Sequence, residues 1–251
     1  MSATKGACVT YVGHATVLVE LDGMRILTDP LLRSRVFHLR RHGAVDVERL
    51  RGVDAVLVSH AHWDHLDRPS LRRLGTEKLI VVPRGAGRLL RKRAFSQIVE
   101  IDVGETVAVG AVTVEATRAE HDAARGPFGV RAPALGYVLS GSRRVYFAGD
   151  TDLFPGMAEL APIDLALLPV SGWGPTLPAG HLDPHRAAEV LRLLEPRIAV
   201  PIHWGTYSVI TPRQTARLRR TPADEFVQHA AEIAPAVDVR VLEPGETLEL
   251  G

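Results

Sequence analysis

Three histidines and one aspartate directly follow a short apolar run, and this feature most restricts what the chain can fold into. Residues 54–59 read DAVLVS, which is typical of a buried strand, and residues 60–65 read HAHWDH. In an extended backbone His60 and His62 project on the same side, and a turn can bring Asp64 and His65 back toward them. Imidazole nitrogens with a carboxylate suit zinc or a similar divalent ion. The segment therefore predicts a metal site at the end of a strand.

Three further ligand candidates each come after another predicted strand. They are His121 after 106–117, Asp150 after 144–148, and His203 after 198–200. Because the ends of parallel or mixed strands converge at one rim of a sheet, we expect these side chains to join the first group. Together the candidates supply seven ligands, enough for two metal ions that share a bridging carboxylate.

Composition excludes several other classes of protein. The chain has 251 residues and a formal net charge of +1, which gives room for a sizeable core and no charge pattern for nonspecific nucleic-acid binding. Its 46% hydrophobic and 24% charged residues exclude a disordered chain. The single cysteine, Cys8, excludes a disulfide framework and a cysteine zinc cage. With no signal-peptide pattern and no long apolar run, we expect a soluble cytoplasmic protein.

Short strands alternate with helices along the whole chain. Helices are predicted over 69–74, 85–94, 183–194 and 224–233, with Asp67 and Asp183 as N-caps of the first and third. Hairpins are predicted near Gly110, at Gly141-Ser142 and over 237–250. Since no segment reads as a linker, residues 1–251 are predicted to form one α/β (α+β) domain with helices on the outer faces of its sheets.

The order and identity of these motifs resemble the metallo-β-lactamase superfamily. Asp29 matches the acidic residue that ends an early strand in that family, and 60–65 matches its His-x-His-x-Asp-His signature. The resemblance implies a four-layer αββα sandwich that holds two divalent ions, zinc before manganese or iron. It also implies the following ligand assignment: His60, His62 and His121 on one metal, Asp64, His65 and His203 on the other, and Asp150 bridging them.

Four further segments narrow the resemblance to one branch of the superfamily. They are YVGHAT at 11–16, ILTDP at 26–30, GHLDP at 180–184 and PIHWG at 201–205. These segments resemble the group that contains N-acylphosphatidylethanolamine-hydrolysing phospholipase D and L-ascorbate-6-phosphate lactonase. The β-lactam-cleaving members often use a cysteine as a ligand of the second metal, whereas the matching positions here carry Asp. The resemblance therefore argues against a β-lactamase.

The ligand set and the resemblance together predict a dinuclear metal-dependent hydrolase. A metal-bridging hydroxide would attack an anionic substrate, with a phosphodiester as the leading class. Asp64 is expected to orient the hydroxide, and His181 to protonate the leaving group, although a structural hydrogen bond of His181 is an equal alternative. Asp29 and His14 are expected to contact ligands rather than a metal, Asp29 by holding a histidine tautomer.

Two other functions remain open at this point. A lactonase or other carboxylic-ester hydrolase would use the same chemistry on a small (phospho)sugar-like lactone, and a non-catalytic metal-binding module would keep the ligands without turnover. A basic subsite from segment 31–43, with Arg33, Arg35, Arg40 and Arg41, would favour phosphate. We expect a small-molecule or lipid-like anionic substrate, no nucleic acid and no transmembrane segment, and leave a homo-oligomer open. No substrate-binding residue can be assigned.

Overall fold

Two seven-stranded mixed sheets dominate the computed structural model, which describes residues 6–91, 95–126, 129–171, 177–209 and 216–251. The strands of the first half are β1 (Cys8–Gly13), β2 (Thr16–Leu21), β3 (Met24–Thr28), β4 (Arg35–Val36), β5 (Leu39–Arg41), β6 (Ala55–Leu57), β7 (Leu79–Pro83) and β8 (Gln97–Ile101). The strands that follow are β9 (Thr106–Val109), β10 (Val112–Arg118), β11 (Leu135–Ser140), β12 (Arg144–Phe147), β13 (Leu165–Pro169), β14 (Ile198–Ile202), β15 (Tyr207–Val209), β16 (Asp238–Val239) and β17 (Thr247–Glu249).

Except for β17, the two large sheets take their strands from different halves of the chain. The first sheet runs β17-β1-β2-β3-β6-β7-β8 and the second runs β16-β14-β13-β12-β11-β10-β9, while β15-β5-β4 form a small third sheet. Strands β3, β6, β7 and β8 are parallel neighbours, as are β12, β13, β14 and β16. The carboxyl ends of the central strands in each sheet therefore point the same way.

Alternation along the strands builds the layers between which the core lies. In the first sheet Val17, Ile26 and Leu57 face the large core shared with the second sheet. Their neighbours Leu18 and Leu27 face a smaller core on the other side of the sheet. This period of two is what a sheet covered on both faces requires.

In the described ranges, four α-helices cover the outer faces of the sheets. They are α1 (Arg68–Leu74), α2 (Arg88–Arg91), α3 (Pro184–Leu194) and α4 (Ala216–Ile233), and 3₁₀ turns occupy Glu48–Leu50 and Pro155–Leu160. Leu71 of α1 and Leu90 of α2 pack into the smaller core, whereas Leu191 of α3 and Phe226 of α4 pack into the large one. The four-layer αββα arrangement is confirmed.

The predicted helix N-caps are confirmed. The Asp67 carboxylate accepts a hydrogen bond from the Ser70 backbone N–H at 3.1 Å, and Asp183 accepts from the Arg186 N–H at 2.8 Å. A side-chain oxygen at this position satisfies one of the amide groups that the first helical turn leaves unpaired. In both helices a proline stands in the first turn, where its missing N–H costs no hydrogen bond.

Three predictions of elements need correction. Helix α2 is only four residues long, against the predicted 85–94, of which 92–94 lie outside the described residues. Helix α4 begins at residue 216 rather than 224 and includes Pro222, because burial of its face against α3 outweighs one lost backbone hydrogen bond.

The predicted hairpin over 237–250 is wrong. Strand β16 pairs in parallel with β14 in the second sheet, whereas β17 pairs antiparallel with β1 in the first. Each of the two strands covers an edge that would otherwise expose unpaired backbone groups, and this favours separate sheets over mutual pairing. Within the described ranges, no helix has the length and apolar character needed to cross a membrane.

Candidate metal centre

The candidate ligands lie at the carboxyl ends of strands from both large sheets. Asp29 follows β3 and segment 60–65 follows β6 in the first sheet, while the second sheet contributes three residues. Those three are His121 after β10, Asp150 after β12, and His203 after β14. Because side chains from two sheets meet here, residues more than a hundred positions apart come within a few ångströms.

The first cluster consists of His60, His62 and His121. Nε2 of His60 lies 3.0 Å and Nε2 of His121 lies 3.1 Å from Nδ1 of His62. The other ring nitrogen of His121 donates to the Gly180 carbonyl oxygen at 2.8 Å. His121 therefore carries its proton on Nδ1, and its Nε2 presents a lone pair toward the centre of the cluster.

The second cluster consists of His14, Asp64, His65 and His203. Oδ2 of Asp64 lies 3.1 Å from Nε2 of His14, 3.3 Å from Nε2 of His65 and 3.7 Å from Nε2 of His203. His14 was expected only at the border of the site. The structure places its ring nitrogen among the ligand atoms, all of which lie within 4.8 Å of one another.

Asp150 lies between the two clusters. Its Oδ2 is 3.2 Å from Nε2 of His65 and 3.9 Å from Nε2 of His60, and its Oδ1 is 3.5 Å from Nε2 of His203. In the described part of the chain Oδ1 makes no hydrogen bond, although the side chain is buried. A buried carboxylate oxygen without a donor is costly unless a cation satisfies it.

Burial and neighbouring charges set the protonation of these groups. Burial holds the pKa of His60 well below its ordinary value and lowers that of His121 to about 4. Burial opposes ionisation of Asp64 and Asp150, but the surrounding imidazoles hold the pKa of both carboxyls well below the usual range. Neutral imidazoles beside ionised carboxylates are the protonation state in which such groups bind metal.

His65 differs from the other histidines. Burial again favours its neutral form, yet Asp150, Asp64 and Asp29 raise its pKa well above the ordinary value. Oδ2 of Asp29 accepts from its Nδ1 at 2.7 Å, and both side chains are fully buried. This contact places Asp29 behind a candidate ligand, the position that the sequence predicted for it.

The donor atoms fit a divalent metal. Imidazole and carboxylate ligands bind zinc at about 2.0–2.2 Å, so two ligands of one ion lie about 3–3.5 Å apart. Nitrogen pairs at 3.0 and 3.1 Å in the first cluster, and nitrogen–oxygen pairs at 3.1 and 3.3 Å in the second, agree with this spacing. These residues therefore fit the divalent metal ions that the sequence predicts.

His181 lies at the edge of both clusters. Its Nε2 is 3.6 Å from Oδ2 of Asp150, and its ring centroid is 4.6 Å from that of His121. Nδ1 donates to the Pro178 carbonyl oxygen at 3.2 Å. Partial burial lowers the pKa of His181, but the neighbouring Asp150 carboxylate outweighs this and raises the pKa above the ordinary value. His181 therefore holds its proton more firmly than a free histidine does, beside the candidate metal ligands.

Arg125 is a residue of the site that sequence reasoning missed. Its Nη1 donates to the carbonyl oxygens of Ala61, at 2.5 Å, and Leu66, at 3.1 Å. The guanidinium carbon also lies 3.7 Å from the ring centroid of Trp63, which is 45% exposed between two candidate ligands. Arg125 thus holds the backbone of segment 60–66 in shape, and no local pattern in the sequence marks it for this role.

The four arginines of the basic segment 31–43 differ in their surroundings. Arg41 is buried and donates to the Leu31 carbonyl oxygen at 2.9 Å, and Arg33 pairs with Asp67 at 3.0 Å. Only Arg35 and Arg40, of the four arginines considered, are exposed. Two of the four arginines are therefore engaged in structural contacts, Arg41 as a buried side chain and Arg33 as the partner of a buried carboxylate.

Comparisons with known proteins give a consistent assignment. A family model described as the beta-lactamase superfamily domain matches residues 24–204. A metal-dependent hydrolase of Methanopyrus kandleri is 31% identical over 96% of this chain and 99% of its own length. The N-acyl-phosphatidylethanolamine-hydrolyzing phospholipase D 1 of Caenorhabditis elegans is 32% identical over 88% of this chain and 69% of its own length. A solved metallo hydrolase of Ignicoccus hospitalis has a TM-score of 0.72 and 27% identity, covering 97% of this chain and 98% of its own.

Proposed function

Because the chain belongs to the beta-lactamase superfamily and is a metal-dependent hydrolase, we propose that residues 1–251 form one catalytic domain. In this proposal the domain binds two divalent ions and hydrolyses a phosphodiester. Zinc is the first candidate for both ions, since imidazole and carboxylate ligands suit it. Its proposed ligands are His60, His62 and His121 for one ion and Asp64, His65 and His203 for the other, with Asp150 shared.

One observation carries the proposal: two Nε2 atoms converge on Nδ1 of His62 at 3.0 and 3.1 Å. A proton on Nδ1 of His62 could satisfy one of the two neighbours, but not both well. A cation at their centre satisfies all three nitrogens. The hydrogen-bond-free Oδ1 of Asp150 calls for a positive charge between the clusters for the same reason.

The chain's own residues supply orientation and proton transfer. When bound, two divalent ions activate water as a nucleophile and neutralise negative charge that develops on the substrate. We assign Asp64, whose side chain is only 14% exposed and whose pKa the surrounding imidazoles hold well below the usual range, as the acceptor of a hydrogen bond from the attacking water. We assign His181, whose pKa Asp150 raises, as the donor of the Nε2 proton to the leaving oxygen.

The substrate class rests on the relatives and on the charges around the site. The Caenorhabditis elegans relative is named as a phospholipase D, an enzyme that cleaves a phosphodiester, and this supports a phosphodiester here. A lactone or another carboxylic ester is a second candidate, favoured by the engagement of Arg33 and Arg41 in structural contacts. Arg35 and Arg40 are the members of this group of four arginines whose side chains are exposed.

The test combines metal analysis with two substrate series. We expect about two ions per chain and hydrolysis of bis(p-nitrophenyl) phosphate in preference to a panel of lactones. The Asp64→Ala variant should lose this activity, whereas Asp122→Ala, which removes an exposed carboxylate beside His121, should retain it. Two ions with lactone turnover alone would establish the second candidate. A chain that binds no zinc or manganese after reconstitution would contradict the proposal.

A further inference from the structure

Ser59 is the residue that immediately precedes the histidine segment, and its hydroxyl touches both clusters. The side chain is fully buried. Its Oγ lies 2.5 Å from Oδ2 of Asp29, 2.9 Å from Nδ1 of His60 and 3.5 Å from Nδ1 of His65. The backbone N–H of Ser59 also donates to Oδ1 of Asp29 at 2.7 Å. The roles proposed above for the candidate ligands do not explain why a buried hydroxyl lies between them and Asp29.

Counting protons fixes the direction of each bond. An ionised carboxylate can only accept, so Ser59 donates its single hydroxyl proton to Asp29. The hydroxyl oxygen can then only accept from Nδ1 of His60, and this places the proton of His60 on Nδ1. Asp29 likewise accepts from Nδ1 of His65 at 2.7 Å. Both histidines are thereby left with Nε2 facing the candidate metal positions.

One buried unit therefore sets the tautomers of histidines in both clusters. Asp29 acts directly on His65 of the second cluster, and through the Ser59 hydroxyl on His60 of the first. We infer that Ser59 is a positioning residue that couples the two metal sites through Asp29. The inference rests on the proposed metal function.

Local packing holds Ser59 in this position. A Cβ atom built at Gly149 would lie 2.6 Å from Cβ of Ser59, and Gly149 has a φ of +62°. Only glycine fits this close approach without strain. Asp150 directly follows Gly149. The backbone that packs against Ser59 therefore also positions the carboxylate proposed to be shared by the clusters.

The experiment measures zinc affinity in chains that keep one cluster each. The His203→Ala variant retains the first cluster and His62→Ala retains the second, and zinc binding is followed by competition with a chromophoric chelator. Removing a group that orients a metal ligand weakens binding about 10- to 100-fold. In the His203→Ala background we expect Ser59→Ala to weaken zinc binding by this factor. In the His62→Ala background the factor should be less than about a third as large.

Coupling is tested with Asp29→Asn, alone and combined with Ser59→Ala. If Asp29 reaches His60 only through Ser59, Asp29→Asn weakens the first cluster when Ser59 is present and has no further effect once Ser59 is alanine. Its effect on the second cluster persists in both backgrounds. Additive losses at the first cluster would overturn the coupling.

Ser70→Ala is the matched control. Ser70 is also fully buried. Its Oγ donates to Asp67 at 2.6 Å and accepts from the Leu32 N–H at 2.8 Å, and neither partner belongs to a cluster. We expect Ser70→Ala to lower the urea midpoint of unfolding without changing zinc affinity. Equal losses of zinc affinity in Ser59→Ala and Ser70→Ala would assign Ser59 a structural role alone and overturn the inference.

A second readout follows the imidazole nitrogens of the zinc-loaded protein by ¹⁵N NMR. We expect His60 to show a protonated Nδ1 in the wild type and a changed Nδ1 resonance in Ser59→Ala. Bound zinc with unchanged affinities and unchanged resonances would overturn this inference and leave the proposed function standing. Failure of the wild-type chain to bind zinc at all would overturn both.

Discussion

The two clusters hold their rings in different ways. In the first cluster the outward nitrogens of His60 and His121 donate to uncharged acceptors, the Ser59 hydroxyl and the Gly180 carbonyl oxygen. In the second, carboxylates surround His65 on both ring nitrogens, Asp29 at Nδ1 and Asp64 with Asp150 at Nε2. The first cluster is therefore kept neutral, whereas His65 in the second is stabilised as a cation in the metal-free protein.

This difference has a consequence for metal binding. A metal ion must displace any proton from the nitrogen to which it binds. The first cluster already presents unprotonated nitrogens, while His65 must release a proton before its Nε2 can bind. We therefore expect the first cluster to take up its ion at lower pH than the second, although the second offers more negative charge.

Removing the carboxylate common to both clusters should have the largest effect. Asp150→Ala is expected to abolish binding of the second ion, weaken the first, and lower kcat/KM by more than about 100-fold, beyond the range for residues that only orient ligands. Metal analysis and steady-state kinetics measure both effects. Asp152→Asn serves as control, since Asp152 pairs with Arg186 at 2.8 Å and lies outside both clusters. If the Asp150→Ala protein still binds two ions tightly, Asp150 is not a ligand of either ion.

Single-cluster variants should separate the two sites. We expect His62→Ala and His203→Ala each to retain about one ion per chain and to lose about 100-fold or more in activity, because each removes one ligand from one cluster only. Titration with zinc at several pH values should then show binding to His203→Ala, which keeps the first cluster, persisting to lower pH. The opposite order would contradict the comparison drawn from His65.

The metal-free protein should become less stable as the pH is lowered, because burial lowers the pKa of His60 and His121 in the first cluster and of His14 in the second. The pKa of His121 is about 4 when folded and near 6.5 when unfolded, so the unfolded chain binds a proton between these values that the folded chain does not. The free energy of unfolding should therefore decrease from pH 6.5 to pH 4, by up to about 3 kcal/mol from this residue.

Urea unfolding at several pH values tests this slope. His121→Gln should flatten it, whereas His38→Gln, on an exposed hairpin, should leave it as in the wild type. His65 acts in the opposite sense, because its raised pKa adds stability below pH 6.5 that is lost as pH rises through the folded value. A wild-type profile that does not change between pH 6.5 and 4 would argue against a neutral, buried first cluster.

Arg125→Ala should have the smallest effect and should not distinguish the clusters. Its guanidinium holds carbonyl groups of segment 60–66, which supplies ligands to both, so zinc affinity should fall about equally at the two sites. Loss of hydrogen bonds to a charged donor should lower the free energy of unfolding by about 1–3 kcal/mol. Arg131→Ala removes an exposed arginine nearby and should change neither quantity. Weakening confined to one cluster would show that Arg125 acts on a single ligand.

Much of the fold could be predicted from local patterns. The apolar runs that become β6, β13 and β14 are short and uninterrupted, as strands buried on both faces must be. Asp67 and Asp183 marked their helix starts because N-capping depends only on neighbouring residues. The pairing of β16 and β17 with different sheets could not be predicted in this way, since the partner strands lie far away in sequence.

The candidate site divides along the same line. Histidine and aspartate residues immediately after strands indicated the ligand set, because strand ends in one sheet necessarily converge. The positions of His14, Ser59 and Arg125 depend on contacts between segments separated by 50 or more residues, or on which way a hydroxyl can donate. The sequence predicted that His14 would contact ligands but not that its ring nitrogen would lie among the ligand atoms, and it did not mark Ser59 or Arg125 for their contacts.

The sequence by itself determined the family and indicated the types and order of the candidate ligands, because metal chemistry restricts which residues can stand at the ends of buried strands. Only the tertiary structure decided how the charges are shared. It placed three carboxylates around His65 and uncharged acceptors behind His60 and His121, and it paired Arg33 with Asp67 and Arg41 with the Leu31 carbonyl oxygen. Protonation and electrostatics depend on distances and burial across both sheets, and these exist only once the chain has folded.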